Sequence, residues 1–116
     1  MPPFDAVLLL QEYGDEGLVR DLAQLVIETV PAQITAVEMA VDARDSAALR
    51  AAAHKLRGSI TPFRLSDAVE AARKLEEMGA SGDLNGADAL SRELAAGVQS
   101  LCDSAKAWID AGAAPS

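Results

Sequence analysis

One cysteine, one histidine and four aromatic residues in 116 positions leave little material for several kinds of chemistry. A single cysteine, Cys102, excludes an internal disulfide. It lies in an apolar helical pattern and reads as a buried free thiol acting as a small hydrophobe. With His54 and Cys102 48 positions apart and no other Cys or His, no Cys/His zinc site can form. No HExxH, no Gly-rich phosphate loop and no GxSxG nucleophile turn is present. Acidic residues are many but scattered, as on solvated helix faces, so no metal site is expected. The scarcity of aromatics removes the platforms on which bases stack. A net charge of -8 and a pI near 4.4 oppose binding to phosphate backbones or an anionic membrane. No apolar run approaches the ~18 residues of a membrane span. The N-terminus shows no basic segment followed by an apolar one, so the cytoplasm is the expected location. Met1 and the tail Ala113–Ser116 favour a complete small protein over a domain cut from a larger one.

What remains is rich in helix formers. Half the residues are hydrophobic, with Ala and Leu dominant, and alternating strand patterns are weak. The length suits one domain, residues 1–116, with 113–116 as a frayed tail. Phe4 to Leu10 forms a short apolar stretch ended by Gly14. A long block follows from about Asp15 to Asp42. Its apolar positions move from Leu18, Leu22, Leu25, Val26 and Thr29 to Val30, Ile34, Val37 and Val41. Pro31, at the change, is expected to kink or split it. A third block spans about 46–60, capped by Asp45 or Ser46, with Leu49, Ala53, Leu56 and Ile60 as its core face. Thr61-Pro62 reads as a cap and first position of a new turn. The next block runs from Phe63 to Met78 with Leu65, Val69, Ala72 and Leu75 inward and Gly79 as its stop. After a polar loop, residues 87–111 place Leu90, Leu94, Val98, Leu101, Ala105 and Trp108 on one face. The expected fold is all-α: an antiparallel four-helix bundle with a short additional N-terminal helix.

The single histidine falls in the third block. At about 100° per residue, His54 lies roughly 130° from the centre of the core stripe and points to solvent. Arg50 at i−4 and Arg57 at i+3 share its face. They disfavour the imidazolium and could neutralise a phosphoryl group. Gly58, at i+4, costs the helix about 1 kcal/mol relative to Ala but clears space beside the ring. Charge is segregated around this point. Residues 44–74 carry seven basic and three acidic side chains, net +4, against -12 for the rest. This basic island (Arg44, Arg50, Lys55, Arg57, Arg64, Arg73, Lys74) suggests a docking face for an acidic partner.

The segment Ala53-His54-Lys55-Leu56-Arg57-Gly58-Ser59 resembles the A-H-x-L-K-G-S signature of histidine-containing phosphotransfer (HPt) domains. Leu75-Glu76 matches the family's L-E, and Asp15-Glu16-Gly17-Leu18 through Pro31 follows its upstream helix pattern. The resemblance implies that His54 is phosphorylated by, and returns phosphate to, receiver domains of response regulators or hybrid histidine kinases. Arg57 would stand near the phosphoryl group in place of the family's lysine. Gly58 would give clearance, and Ser59 and Leu56 would have structural weight. Arg50, Lys55 and Arg64 are further phosphate- or partner-proximal candidates. The family implies no cofactor in this chain, with Mg²⁺ held by the receiver, and a carrier without independent turnover. Two departures stand out: Arg64 occupies a position where the family usually has glycine, and Pro62-Phe63 alters the turn before it. An alternative is a non-phosphorylated helical adaptor in which His54 is incidental.

Overall fold

A computed structural model of the chain describes residues 2–113. Every regular element among them is helical: α1 (Ala6–Tyr13), α2 (Glu16–Asp42), α3 (Ser46–Ile60), α4 (Ser66–Ser81) and α5 (Ala87–Trp108). A 3₁₀ turn, Thr61–Phe63, joins α3 to α4, and a π-helical turn, Ile109–Ala113, extends α5. The expected tail at 113–116 falls almost wholly outside the described residues. No helix among those described is long and apolar enough to cross a membrane.

Three of the five α-helix starts follow from aspartates. Asp5, Asp15 and Asp45 each sit in extended backbone and accept from amides of the first turn, at Leu8, Gly17/Leu18 and Ala48 respectively. Pro31 neither ends nor splits α2, which runs unbroken from Glu16 to Asp42. The Thr35 hydroxyl donates to the Pro31 carbonyl at 3.0 Å. Thr61 does not cap α4; its hydroxyl donates back to the Arg57 carbonyl. The next helix therefore starts at Ser66 rather than Phe63, and Phe63 turns inward instead.

α2 packs on α3 and α5, and α4 packs on α3 and α5, so the four long helices enclose one core. α1 packs on α2. Phe4 reaches across to Phe63 and Trp108, with ring centroids 5.7 and 5.5 Å apart. The inward face of α3 is Leu49, Ala53, Leu56 and Ile60, as its periodicity requires. α2 departs from expectation. Its N-terminal half buries Val19, Ala23, Val26 and Val30, while Leu18 and Leu25 remain 41% and 57% exposed. The face rich in Val and Ala is the one enclosed where α2 packs on α3 and α5. α4 likewise buries Ala68, Ala71, Ala72 and Leu75, and α5 buries Ala87 and Ser91 ahead of Leu94, Val98, Leu101 and Ala105. Cys102 is partly buried with its Sγ 4.0 Å from the Val26 carbonyl. Burial, followed by the Asp103 charge, pushes its thiol pKa up, which favours the unreactive thiol form.

Gly79 is not the stop signal of α4. The helix continues to Ser81 and ends at Gly82, whose φ of 83° is left-handed. Gly79 is buried inside it, and a Cβ there would lie 2.5 Å from the Arg50 backbone nitrogen and 2.7 Å from the Ser46 carbonyl oxygen. This glycine marks where α4 presses on the backbone of α3.

Arg64 adopts a left-handed backbone, φ 57°, which explains why glycine suits this position in the resembling family. The penalty for a side chain there is roughly 1–2 kcal/mol. Its guanidinium bonds Glu12 at the end of α1, at 2.8 Å. Arg64→Gly is expected to leave stability within about 1 kcal/mol of the parent. Strain relief offsets a solvent-exposed ion pair and a more flexible unfolded chain. Urea denaturation measures this; a loss of about 2 kcal/mol or more would mean that the Glu12–Arg64 bond is what holds α1.

Candidate functional site

His54 projects from the third turn of α3, opposite the buried Leu49–Ile60 stripe, with 67% of its side chain exposed. Its Nδ1 lies 2.8 Å from Oε1 of Glu76 on α4. The other carboxylate oxygen of Glu76, Oε2, accepts from Arg57 Nε at 3.0 Å and lies 2.9 Å from its Nη2. Partial burial pushes the Glu76 pKa up, but the hydrogen bond from His54 and the Arg57 charge outweigh it, leaving it below its ordinary 4.5. Glu76 is therefore ionised at neutral pH and only accepts. That places the proton on Nδ1 and the lone pair on Nε2. With Nδ1–H directed at Glu76, the 3.3 Å approach of Arg57 Nη2 to Nδ1 is a contact and not a donation. Among the described residues Nε2 has no partner.

Because folding lowers the Glu76 pKa, this network adds stability above the ordinary glutamate range and loses it as pH falls through the folded value.

The register of α3 against α4 creates this pair. Gly79 meets the backbone of Arg50. One turn further along α3 is His54, and one turn back along α4 is Glu76. The two helices therefore run antiparallel here, and the close crossing brings Glu76 within reach of the ring. Glu76 was legible in the sequence only as half of a Leu-Glu motif; nothing local assigned it a role at the histidine.

The other candidates divide. Gly58 is exposed, and a Cβ there would meet nothing within 4 Å, so its openness faces solvent. Arg50 is exposed and lines an open cleft between α3 and α4 together with Ser46, His54, Glu76 and Gly79. Lys55 is exposed on the α2 side, beside Glu28, Thr29 and Gln33. The Ser59 hydroxyl donates to the Lys55 carbonyl at 3.3 Å, an interaction within the helix. Arg64 is not gathered at the histidine. Ten residues of largely helical rise put it roughly 15 Å away. The basic island also shrinks. Arg44 pairs with Asp88, Arg57 with Glu76, Arg64 with Glu12, and Arg73 with Glu70 and Glu77. Only Arg50, Lys55 and Lys74 of the seven lack an ion pair among the described residues. No group of three or more His, Cys, Asp or Glu there is placed to hold a metal ion.

A family model described as the Hpt domain matches residues 21–108, from the first turns of α2 to the end of α5. The chain belongs to the Hpt domain family. Hpt domains act in phosphotransfer within two-component signalling and work with receiver domains, and the exposed histidine of this one lies inside the matched span. Searches of curated proteins and of solved structures gave no match.

The Glu76 contact yields a prediction for this Hpt domain. Glu76→Gln removes the fixed negative charge that selects the Nδ1–H tautomer. The ring is then expected to populate both tautomers, visible in its ¹⁵N shifts. Phosphoryl acceptance should slow about tenfold, the scale of losing a carboxylate that orients an imidazole. Unchanged shifts and rate would show that Glu76 does not direct the ring.

Proposed function

We propose that this protein is a phosphocarrier of a two-component phosphorelay. His54 accepts a phosphoryl group from the aspartate of one receiver domain and passes it to another, residing in the cytoplasm with no turnover of its own. The reading rests above all on one observation: a solvent-exposed imidazole whose Nδ1 is held by Glu76 and whose Nε2 is free. Nε2 attacks phosphorus in line, the N–P bond forms, and the P–O bond to the aspartyl carboxylate breaks. The ring keeps its Nδ1 proton, and the positive charge it gains is met by Glu76. No proton has to leave before the reverse reaction discharges the group.

The receiver supplies Mg²⁺ and most of the charge stabilisation; this chain supplies the nucleophile and its orientation. Gly58 leaves room beside the ring for a partner. An apolar cleft formed by Leu22, Leu25, Val26, Gly58 and Phe63, with Leu25 exposed on α2, supplies contact area beside Gly58. The reading takes α2–α5 as an antiparallel four-helix bundle, which the short connections favour.

The test is incubation of the protein with a panel of radiolabelled phospho-receiver domains. Label is expected on this chain, labile to acid and stable to alkali as in a phosphohistidine. Binding without label transfer would make the protein an adaptor and end the carrier reading.

A further inference from the structure

The motif resemblance assigns the phosphoryl-neighbouring cation to Arg57, three residues after the histidine. The side-chain geometry separates Arg57 from that task. Both of its contacts to a carboxylate end on Oε2 of Glu76, and it stands 3.3 Å from Nδ1. It is on the side of the ring that holds the proton, not the side that carries a phosphoryl group. Its charge is already opposed by an ionised carboxylate.

Two other cations of α3 flank the ring. Lys55, one position on, is rotated by about 100° and faces the α2 groove with Glu28. Arg50 is one turn before His54 on the same helix face, where side chains four apart are neighbours. It lines the cleft that contains His54 and Glu76, is exposed, and makes no ion pair among the described residues. Its backbone is fixed by the contact with Gly79, so the root of the side chain cannot drift from the cleft. A guanidinium without a carboxylate partner has its full charge and its fork of donors available to a dianionic group.

We infer that Arg50, and not Arg57, is the residue that contacts the phosphoryl group on His54, while Arg57 is a positioning residue that braces Glu76. This division of labour rests on the reading of His54 as phosphoryl acceptor.

Phosphoramidate tests it without a receiver. Nε2 attacks its phosphorus, the P–N bond breaks and ammonia leaves, so an exposed imidazole is labelled whether or not a relay exists. The full chain and its Arg50→Ala, Arg50→Lys and Arg57→Ala variants would be phosphorylated in this way. The phosphoryl resonance would then be titrated by ³¹P NMR. A nearby cation favours the dianion. Arg50→Ala should therefore raise the phosphoryl pKa by about half a pH unit, the scale of one unit charge some 6 Å away in water. Arg50→Lys should restore most of it. Arg57→Ala should move that pKa less than Arg50→Ala does, because its guanidinium stands on the Nδ1 side of the ring and farther from phosphorus, while altering the ¹⁵N shifts of the ring through Glu76. A pKa insensitive to Arg50→Ala, or one moved at least as far by Arg57→Ala, overturns the assignment and leaves the carrier reading intact. A parent protein that takes no label at His54 overturns both.

Discussion

His54→Gln is expected to abolish phosphoryl acceptance completely while leaving the fold and receiver binding unchanged. The side chain is largely exposed, so the substitution should move stability by no more than about 0.5 kcal/mol. Glutamine can still donate an N–H toward Glu76 Oε1, which keeps the carboxylate paired and Arg57 in place. What it lacks is a nucleophilic nitrogen, because the amide lone pair is delocalised into the carbonyl. Radiolabel transfer from a phospho-receiver and calorimetric binding to the same receiver separate the two properties. Lost transfer with retained binding places the chemistry on His54. Label persisting on the variant would move the acceptor to another residue, and the single imidazole of this chain would then be incidental.

Gly79→Ala should be the most damaging small substitution in the protein. A methyl group there would be 2.5 Å from the Arg50 nitrogen, 2.7 Å from the Ser46 oxygen and 2.8 Å from the Arg50 Cα. All three are backbone atoms of α3, so no flexible side chain can yield. Alanine gains about 1 kcal/mol of helix propensity over glycine, but forcing two helices apart costs typically 1–3 kcal/mol or more. A clash with three backbone atoms lies at the upper end, so we expect a net loss of about 2 kcal/mol and a melting temperature lower by roughly 10 °C. The effect extends to chemistry, since the Glu76–His54 bond depends on the same crossing. The ¹⁵N shifts of His54 should move in Gly79→Ala as they do in Glu76→Gln. The contrast is Gly58→Ala, where a Cβ meets nothing. That variant should be as stable as the parent or up to about 1 kcal/mol more so, yet transfer more slowly because the methyl group occupies partner space. Equal stability losses at the two glycines would refute the distinction.

These two glycines show where reading a chain in one dimension succeeds and where it fails. Gly58 is beside the histidine on one helix, and its openness followed from spacing alone. Gly79 was read as a helix stop, because a glycine at the end of an apolar stripe is as often a C-cap as a packing contact. Which it is depends on a partner backbone 29 positions earlier. The same holds for charge. Arg44, Arg57, Arg64 and Arg73 counted as a basic island, but three of them meet carboxylates on other helices. In α2 the periodicity put Leu18 and Leu25 among the apolar positions, but packing on α3 and α5 buries Val19 and Ala23 beside Val26 and Val30 and leaves those two leucines exposed.

The sequence by itself determined what one helix carries within itself: the Asp45 cap and inward stripe of α3, the outward direction of His54 and the motif around it. These depend on periods of 3 and 4 along one backbone, and a helix repeats them whatever it packs against. Only the tertiary structure decided which nitrogen of His54 meets Glu76 and which is left open, which arginine is spent on Glu76 and which stays free. Those outcomes depend on the rotation and register of α4 against α3, set by a crossing that glycine alone permits.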